Sequence, residues 1–343
     1  MSSTSAVGRI GLAPMEGVID VITRDLLTAR GGFDWAVTEF VRVTDTLLPP
    51  RVFHRICPEL VHRAETSCGT PVHLQLLGSN PERLGDNARR AAELGAPCID
   101  INFGCPAKTV NRHDGGASLL KTPQRVEAVV AGVHRALEGS GIPVTAKLRL
   151  GFEDKRLAVA CAQAAEAGGA ASLVVHARTR REGYRPPAYW QWVRRIRQHV
   201  SVETVVNGDI WTLEDYQRAR AISGCDHVML GRAALADPLL AARIRHWQAT
   251  GEHQPPTRWQ DRSTILKEYA YQASQSVPEK VVVSLLKQWL NIMRQHDRDA
   301  AERFVELRRI RELSPFLQTL NPSDHSEREE KEEAFTALQT DRQ

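Results

Sequence analysis

Eight short β-rich segments recur between residues 10 and 233, and most of them are followed by a helical pattern. The segments are IGLAPM (10–15), WAVTEFV (35–41), VHLQLLG (72–78), CIDINF (98–103), VTAKLRL (144–150), SLVVHAR (172–178), VETVVNG (202–208) and HVMLGRA (227–233). Strands that alternate with helices predict a parallel sheet. A count of eight favours the α/β class in its closed form, a (β/α)8 TIM barrel, over an open doubly wound sheet.

Each segment ends in a pair of residues that contains a polar side chain or a glycine. The pairs are Met15 with Glu16, Glu39 with Arg42, Gln75 with Gly78, Asn102 with Cys105, Lys147 with Arg149, His176 with Arg178, Asn207 with Asp209, and Gly231 with Arg232. The carboxyl ends of barrel strands converge on one face, and active sites of this fold lie there. We therefore expect these residues to surround a single site.

The pattern changes after Pro255 and Pro256, where the β-rich segments stop. We expect a barrel domain over residues 1–250 and a smaller all-α helical domain over residues 257–320, with amphipathic segments such as EKVVVSLLKQWLNIMRQ. The helical region contains eleven Lys and Arg residues against eight acidic residues. Residues 322–343 are acidic and poor in large apolar side chains, so a disordered tail is expected there.

The charge of the chain favours a polyanionic partner once it is resolved along the sequence. Residues 322–343 contain seven acidic and three basic residues, so the net charge of +4 for the whole chain leaves +8 on residues 1–321. A net positive charge steers association with nucleic acid or phosphates. A merely basic enzyme is the alternative, and composition alone does not choose between the two.

Other classes of protein are disfavoured by features that the sequence lacks. The first residues, MSSTSAVGR, lack the order of a signal peptide, and no run approaches the roughly 18 apolar residues of a membrane span. The six cysteines form no C-x-x-C pair, so neither disulfides nor a metal site is expected. We expect a cytoplasmic monomer with no membrane partner and no metal.

Two strand ends that contain glycine predict a phosphate site. The chain has no G-x-G-x-x-G fingerprint that opens a βαβ unit, and it has no P-loop. A barrel binds phosphate at the loops after its seventh and eighth strands, where the sequences NGD (207–209) and GR (231–232) lie. Glycine permits a close backbone approach, and Arg232 is suited to bidentate phosphate binding. The alternative is that these glycines only end strands.

Gln75, Lys147 and His176 are polar residues that close apolar strands. A lysine at such a place is costly unless it meets an anion, and a reduced flavin provides one at its N1/O2 edge. For Lys147 the alternative is a salt bridge with Glu16 or Glu39. For His176 the alternative is a hydrogen-bonded histidine of the core.

Cys105 stands between Gly104 and Pro106, just beyond the fourth β-rich segment. A thiol with a pKa of about 8.5 is mostly protonated at neutral pH and is able to donate a proton to a carbanion-like centre. As a nucleophile, Cys105 would need a base such as His113. A small buried apolar residue is the remaining alternative for a lone cysteine.

Taken in order, seven segments resemble the tRNA-dihydrouridine synthase family across about residues 10 to 315. They are APMEGVID, QLLGSNPERL, DINFGCPAKTVNRHDGGASLL, VTAKLRLGF, VVHARTRREGY, VVNGDIW and VMLGRAALADP. The segments TEFVRV, RVFHRICPEL and GCPAKTVN are most similar to the bacterial C-type branch of that family, which modifies uridine 16 of the tRNA D-loop.

The resemblance implies an FMN-binding barrel followed by a helical tRNA-binding domain, with NADPH or NADH as the transient reductant. It implies that a uridine of the D-loop, at the elbow of tRNA, is flipped into the site. Hydride then passes from FMN N5 to uracil C6, and Cys105 gives a proton to C5.

The same resemblance implies roles for individual residues. It places FMN contacts on Pro14, Met15, Glu16, Gln75, Lys147, His176, Asn207, Gly208, Asp209, Gly231 and Arg232. It places uridine or tRNA contacts on Arg42, Asn102 and Tyr184. In the helical domain, RNA contacts are expected at Lys287, Arg294 and Arg308, of which the first two lie seven residues apart on one helix face. A solvated helix face is the alternative for these bases.

Three other interpretations remain at this point. The chain acts on a different D-loop uridine, or it is an FMN barrel that reduces a free pyrimidine, or it is an RNA-binding or chaperone protein whose catalysis is dispensable. The basic helical region argues against the second of these. The third predicts that Cys105→Ala leaves the biological role intact.

Overall fold

The chain forms two compact units, Met1–Pro255 and Pro256–Gln343, in a computed structural model that describes residues 7–112 and 114–321. The expected disordered tail, 322–343, and His113 lie outside the described residues. Within those ranges the strands belong to the first unit, and the second unit is helical.

The strands of the first unit form one parallel sheet that closes on itself. Those in the described residues are β1 (Ile10–Leu12), β2 (Trp35–Val37), β3 (Val41–Arg42), β4 (Val72–Leu77), β5 (Ile99–Phe103), β6 (Val144–Arg149), β7 (Ser172–His176), β8 (Glu203–Asn207) and β9 (His227–Leu230). Their order is β2-β1-β9-β8-β7-β6-β5-β4-β3, and β2 also pairs with β4. This last pairing closes the sheet into a barrel.

β2 and β3 are two parts of one barrel strand. β2 aligns Ala36 with Val72 of β4, and β3 aligns Val41 with Leu76 of the same strand. The described part of the sheet therefore contains eight barrel strands. The predicted (β/α)8 TIM barrel followed by helices is confirmed.

Apolar side chains fill the barrel beneath the strand ends. They are Ala13, Trp35, Val37, Val174, Val205 and Met229. The parallel register aligns Lys147 of β6 with Val174 of β7, and Val174 with Val205 of β8. Aligned residues of neighbouring strands point to the same face, so Lys147 shares the interior face with this apolar cluster.

Helices and 3₁₀ helices connect the strands, and the last two helices of this unit follow its last strand. They are α1 (Val21–Ala29), α2 (Pro50–Ile56), α3 (Pro81–Glu93), α4 (Lys108–Arg112), α5 (Pro123–Ala136), α6 (Ala158–Ala167), α7 (Trp190–Arg197), α8 (Leu213–Ser223), α9 (Arg232–Ala236), α10 (Leu240–Thr250), and the 3₁₀ helices Pro58–His62 and Gly116–Lys121. Polar caps begin three of them, and before α1 the cap is Asp20, which accepts the N–H of Thr23. Asn80 accepts the N–H groups of Glu82 and Arg83 before α3, and Thr212 accepts that of Asp215 before α8.

The second unit contains four helices within its described residues, packed around an aromatic pair. They are α11 (Trp259–Ala273), α12 (Glu279–Met293), α13 (Arg298–Leu307) and α14 (Leu313–Thr319). The rings of Tyr269 and Trp289 meet edge to face with centroids 5.4 Å apart. Asp297 caps α13 by accepting the N–H of Ala300, and it forms an ion pair with Arg262 at 2.9 Å. In neither unit does a described helix have the length and apolar character that crossing a membrane requires.

Candidate active site

The carboxyl ends of β6 and β8 place Lys147 and Asn207 in the mouth of the barrel. Lys147 Nζ donates to Asn207 Oδ1 at 3.2 Å, and Asn207 Nδ2 donates to the carbonyl oxygen of Met229 at 2.8 Å. Because β7 lies between β6 and β8, the bond from Lys147 crosses the interior face of the sheet. The register aligns Asn102 with Lys147 and His176 with Asn207. The structure thus brings these predicted site residues together.

Lys147 is a half-buried cation with an unusually acidic ammonium group. Burial, and then the charge of Arg149, lowers the pKa of Lys147 to about 8, although the Asp100 carboxylate opposes the shift. The ion pairs of the described residues do not join Lys147 to Glu16 or Glu39, and Glu39 instead accepts a backbone N–H. A desolvated cation of this kind is stabilised by an incoming anion or by negative charge that develops beside it.

His176 ends β7 with a buried imidazole. Burial, and then the positive charges of Arg149 and Lys147, lowers the pKa of this ring well below its usual range, so the ring is neutral at pH 7. Its centroid lies 5.9 Å from that of Tyr184. Within the described residues neither ring nitrogen is hydrogen-bonded, which disfavours the alternative of a hydrogen-bonded core histidine. A neutral imidazole offers a ligand one donor and one acceptor.

Gly208 is required by the packing of His176. Its φ is +114°, and an added Cβ would lie 2.8 Å from Cδ2 of the His176 ring. We expect Gly208→Ala to destabilise the protein by about 1–3 kcal/mol and to displace the imidazole. Gly231→Ala is the control, because its Cβ would meet Ala13 and Met15 at ordinary distances of 3.7 and 3.8 Å. Urea unfolding compares the two variants, and equal losses of stability would contradict this account.

Arg178 and Arg232 form a cationic corner around Asp209. Arg178 is fully buried, donates to the carbonyl oxygen of Arg185 at 2.7 Å, and forms an ion pair with Asp209. Arg232 Nη2 lies 3.7 Å from the same carboxylate. Nη1 of Arg178 is buried without a hydrogen-bond partner among the residues that the structure describes. Two guanidinium groups therefore share one carboxylate, and the unmet donor suits an anion such as a phosphate.

Tyr184 forms an aromatic rim beside these cations. Its side chain is 50% exposed, and the guanidinium carbons of Arg149 and Arg232 lie 5.2 and 4.6 Å from its ring centroid. Arg232 also lies 5.0 Å from the centroid of Trp211. Cation–π contacts of this kind hold aromatic rings in place. The exposed part of Tyr184 is available to a planar ligand.

Cys105 lies in the loop after β5, where it is 8% exposed and packs against Leu77 and Val110. Its backbone N–H donates to Asn102 Oδ1 at 2.9 Å. Burial raises the pKa of the Cys105 thiol, so the thiol is protonated at neutral pH. The predicted role of proton donor requires this form. His113, the base of the nucleophilic alternative, is outside the described residues.

The remaining predicted cofactor and tRNA contacts of the barrel unit lie at different depths. Gln75 is fully buried on β4. Pro14 and Met15, which follow β1, are half-buried, and Glu16 is exposed. Arg42 ends β3 with an exposed side chain. The barrel therefore shields the deeper members of this set from solvent and leaves Glu16 and Arg42 accessible.

Two buried charges of the site were given no individual role from the sequence, although Arg149 was expected among the strand-end residues that surround it. Arg149 donates to the carbonyl oxygens of Gly104 at 2.7 Å and Gly183 at 2.9 Å, so it joins the loops after β5 and β7. Asp100 is 2% exposed and lies on β5 two residues before Asn102. Arg149 likewise lies two residues from a predicted site residue. Alternate residues of a strand share a face, and this spacing is the signal that could have found Asp100.

The predicted bases of the helical unit lie on α12 and α13. Lys287 is half-buried on α12, and the exposed Arg294 follows the last residue of that helix. The guanidinium carbon of Arg294 lies 4.5 Å from the ring centroid of Phe304. Arg308 is exposed at the end of α13. Lys280 lies a further seven residues before Lys287 and shares its helix face.

Comparison with known proteins decides the family. A family model described as Dihydrouridine synthase (Dus) matches residues 11–324, which is most of the chain. The chain belongs to the dihydrouridine synthase family. The predicted family and the predicted enzyme class are confirmed. Over 312 residues the chain is 47% identical to a tRNA-dihydrouridine(16) synthase of Aquipseudomonas alcaligenes, covering 91% of this chain and 98% of that protein. It is 48% identical over 312 residues to a protein of the same name from Ralstonia nicotianae, covering 91% and 94%.

Similarity to solved structures of low sequence identity concerns the fold alone. A 2-naphthoyl-CoA reductase matches with a TM-score of 0.54 at 11% identity, covering 71% of this chain and 51% of that chain. A histamine dehydrogenase from Rhizobium sp. 4-9 matches with a TM-score of 0.52 at 15% identity, covering 71% and 47%.

The described residues contain no group of three or more His, Cys, Asp or Glu side chains that could hold a metal ion.

Proposed function

We propose that this chain reduces the C5=C6 bond of uridine 16 in tRNA to 5,6-dihydrouridine, with FMN bound at the barrel mouth and NADPH as reductant. The names of the two relatives support the substrate and the position. The proposal places the reaction in the cytoplasm and assigns it to a monomer. The net positive charge of residues 1–321 is consistent with a nucleic-acid substrate.

The observation that carries the proposal is a protonated thiol at the end of one barrel strand and a desolvated cation at the end of its neighbour. Cys105 follows β5, and Lys147 lies on β6. Reduction of an activated C=C bond requires a proton donor and a group that stabilises negative charge as it develops. The raised pKa of Cys105 and the lowered pKa of Lys147 suit these two roles.

The residues at the barrel mouth fit a flavin mononucleotide. The unmet Nη1 donor of Arg178 and the adjacent Gly231 and Arg232 would hold the phosphate. Lys147 and the neutral His176 would hold the polar edge of the ring system by donating hydrogen bonds to it. A bound flavin supplies the hydride, which it obtains from NADPH or NADH.

The remaining side chains of the site act on the uridine. Cys105 holds at Sγ the proton that C5 requires, and its burial keeps that proton in place at neutral pH. Asn102 would contact the flipped base through its amide, and Tyr184 would contact it with the exposed part of its ring. Arg149 joins the loop that carries Cys105 to the loop that carries Tyr184. It donates to the carbonyl oxygen of Gly104 in the first loop and to that of Gly183 in the second.

Anaerobic single-turnover kinetics tests the proposed reaction. The bound flavin is reduced with NADPH, an unmodified tRNA transcript is added, and flavin reoxidation is followed while the RNA is sequenced by mass. Rapid reoxidation with two hydrogen atoms gained at uridine 16 supports both the reaction and the position. A gain at another D-loop uridine would overturn the position alone. Reoxidation by free uridine but not by tRNA would overturn the substrate.

We also propose that the helical unit binds the RNA backbone through Lys287, Arg294 and Arg308. We expect Arg294→Glu to weaken tRNA binding about tenfold and to reduce the salt dependence of binding, because fewer counterions are released. Arg298→Glu is the matched control, since Arg298 is 91% exposed but already forms an ion pair with Glu302 at 3.0 Å. Fluorescence anisotropy over a range of salt concentrations compares them. Equal losses of affinity would count against a specific role for Arg294.

A further inference from the structure

A chain of hydrogen bonds connects a buried carboxylate in the barrel to the backbone around Cys105. Gln75 Nε2 donates to Asp100 Oδ2 at 2.6 Å, and Asn102 Nδ2 donates to Gln75 Oε1 at 2.7 Å. Asn102 Oδ1 accepts the backbone N–H groups of Gly104 at 2.8 Å and Cys105 at 2.9 Å. These five residues form what we name the Asp100 relay.

The Asp100 relay is shielded from water. Gln75, Asp100 and Asn102 are 0%, 2% and 8% exposed. The second carboxylate oxygen of Asp100 accepts the hydroxyl of Thr145 at 2.6 Å, so both of its oxygens are bonded. In such a place a donor or acceptor that loses its partner finds no water to replace it. The hydrogen bonds of the relay are therefore mutually dependent.

The two ends of the Asp100 relay fix the direction of both amides. A carboxylate only accepts, so Gln75 must turn its NH₂ group toward Asp100 and its carbonyl oxygen toward Asn102. Backbone N–H groups only donate, so Asn102 must turn its carbonyl oxygen toward Gly104 and Cys105 and its NH₂ group toward Gln75. The two constraints agree. Neither amide is able to flip without leaving buried groups unpaired.

We propose that Asp100 is a positioning residue for the Cys105 loop and acts on it through Gln75 and Asn102. The carboxylate holds the amide of Asn102 in the one direction that anchors two consecutive backbone N–H groups. This anchoring keeps the Cys105 thiol at the place where the base is reduced. The inference rests on the proposed function, because it takes Cys105 to be the proton donor.

Hydrogen exchange at the backbone amides of Gly104 and Cys105 tests the relay in the full-length protein without substrate. Asp100→Leu keeps the branching of the side chain at Cγ, is bulkier, and removes the acceptor for Gln75. We expect the two amides to exchange roughly tenfold faster in this variant than in the wild type. Asp100→Asn is the conservative rescue, because it still accepts from Gln75 while its NH₂ group donates to the Thr145 oxygen. Its exchange is expected within about twofold of the wild type.

Thr145→Val separates the positioning role from a merely structural one. This variant removes a hydrogen bond from Asp100 and destabilises the barrel, but it leaves the link to Gln75 intact. Exchange at Gly104 and Cys105 is expected to remain at the wild-type rate. Unchanged exchange in Asp100→Leu would overturn the proposal, and so would a Thr145→Val variant that exchanged as fast as Asp100→Leu.

Gln75→Met provides the same test should Asp100→Leu fail to fold. It removes both hydrogen bonds of Gln75, to Asp100 and to Asn102, with a side chain of similar shape, and the same acceleration of exchange is expected. Wild-type exchange in Gln75→Met would overturn the proposal. These measurements contain no tRNA, so the relay is judged by exchange even if the wild-type protein reduces no tRNA.

Loss of the Asp100 relay is expected to affect reoxidation of the flavin more than its reduction. In Asp100→Leu, reoxidation of the flavin by tRNA is expected to slow more than its reduction by NADPH, because Cys105 takes part only in reoxidation. Equal slowing of the two steps would indicate a general loss of structure and would overturn the positioning role.

Discussion

Replacing Cys105 with alanine is expected to slow reoxidation of the flavin by tRNA by about two to four orders of magnitude. The thiol holds the proton that the product carbon requires, and alanine has no proton to give. Reduction of the flavin by NADPH needs no proton from this residue and is expected to keep its wild-type rate. Stopped-flow absorbance of the flavin measures both steps in one sample.

Cys161→Ala is the matched control for this experiment. Cys161 is buried in α6, where burial raises the pKa of its thiol to about 12 and its Sγ donates to the carbonyl oxygen of Leu120 at 3.4 Å. The same chemical change at this position is expected to leave both rates unaltered. A Cys105→Ala protein that reduced tRNA at the wild-type rate would exclude the proton-donor role. Such a result would mean that a group other than this thiol gives the proton to C5.

The positions of the site residues could be predicted because they follow from local pattern. Lys147 and Asn207 each end an apolar segment, and a strand end is recognisable within a few residues of sequence. Their hydrogen bond across the interior face could not be predicted in the same way. It depends on the closure of the barrel through the pairing of β2 with β4, which sets the side of the sheet that becomes the interior.

The Asp100 relay could not be predicted from the pattern of any single segment. Asp100 stands within the apolar segment CIDINF, and its role depends on register, because β4 aligns Gln75 with Asp100. WAVTEFV is a similar case. The sequence predicts one unbroken strand, whereas the structure interrupts it between β2 and β3, where the Thr38 hydroxyl accepts the backbone N–H of Gln75 at 3.0 Å. Asp100 and Thr38 each accept a hydrogen bond from Gln75, which lies on a different strand. No pattern within their own segments predicts that partner.

Replacing Lys147 with methionine is expected to stabilise the flavin-free protein while abolishing its activity. Burial lowers the pKa of this ammonium from 10.5 to about 8. A shift of this size corresponds to a cost of about 3 kcal/mol in the folded state at pH 7. Methionine has a similar shape and no charge, and the lost hydrogen bond to Asn207 offsets about 1 kcal/mol of the gain. We expect a net increase of about 2 kcal/mol in the free energy of unfolding at pH 7.

The advantage of the methionine variant is expected to shrink as the pH rises. Between about pH 8 and pH 10.5 the folded wild-type protein has released the proton of Lys147, whereas the unfolded chain still holds it. The unfolded state then binds more protons, so the contribution of Lys147 to stability increases with pH in this window. Urea unfolding of both proteins at about pH 7 and about pH 10 measures the difference. A difference that grew with pH would contradict the depressed pKa.

The same variant distinguishes a cofactor-facing cation from a salt bridge at the barrel mouth. A salt bridge predicts that Lys147→Met loses stability, because a buried carboxylate would lose its partner. A lysine that faces an anionic ligand predicts that Lys147→Met gains stability, since the buried charge destabilises the folded protein until the ligand binds. Activity that requires the charged form is expected to fall as the pH rises through about 8, the pKa of Lys147. Lys147→Arg keeps its charge throughout and is expected to lack this decline. Gain of stability together with loss of activity in Lys147→Met would therefore show that the barrel maintains this lysine for binding and catalysis at the expense of its own stability.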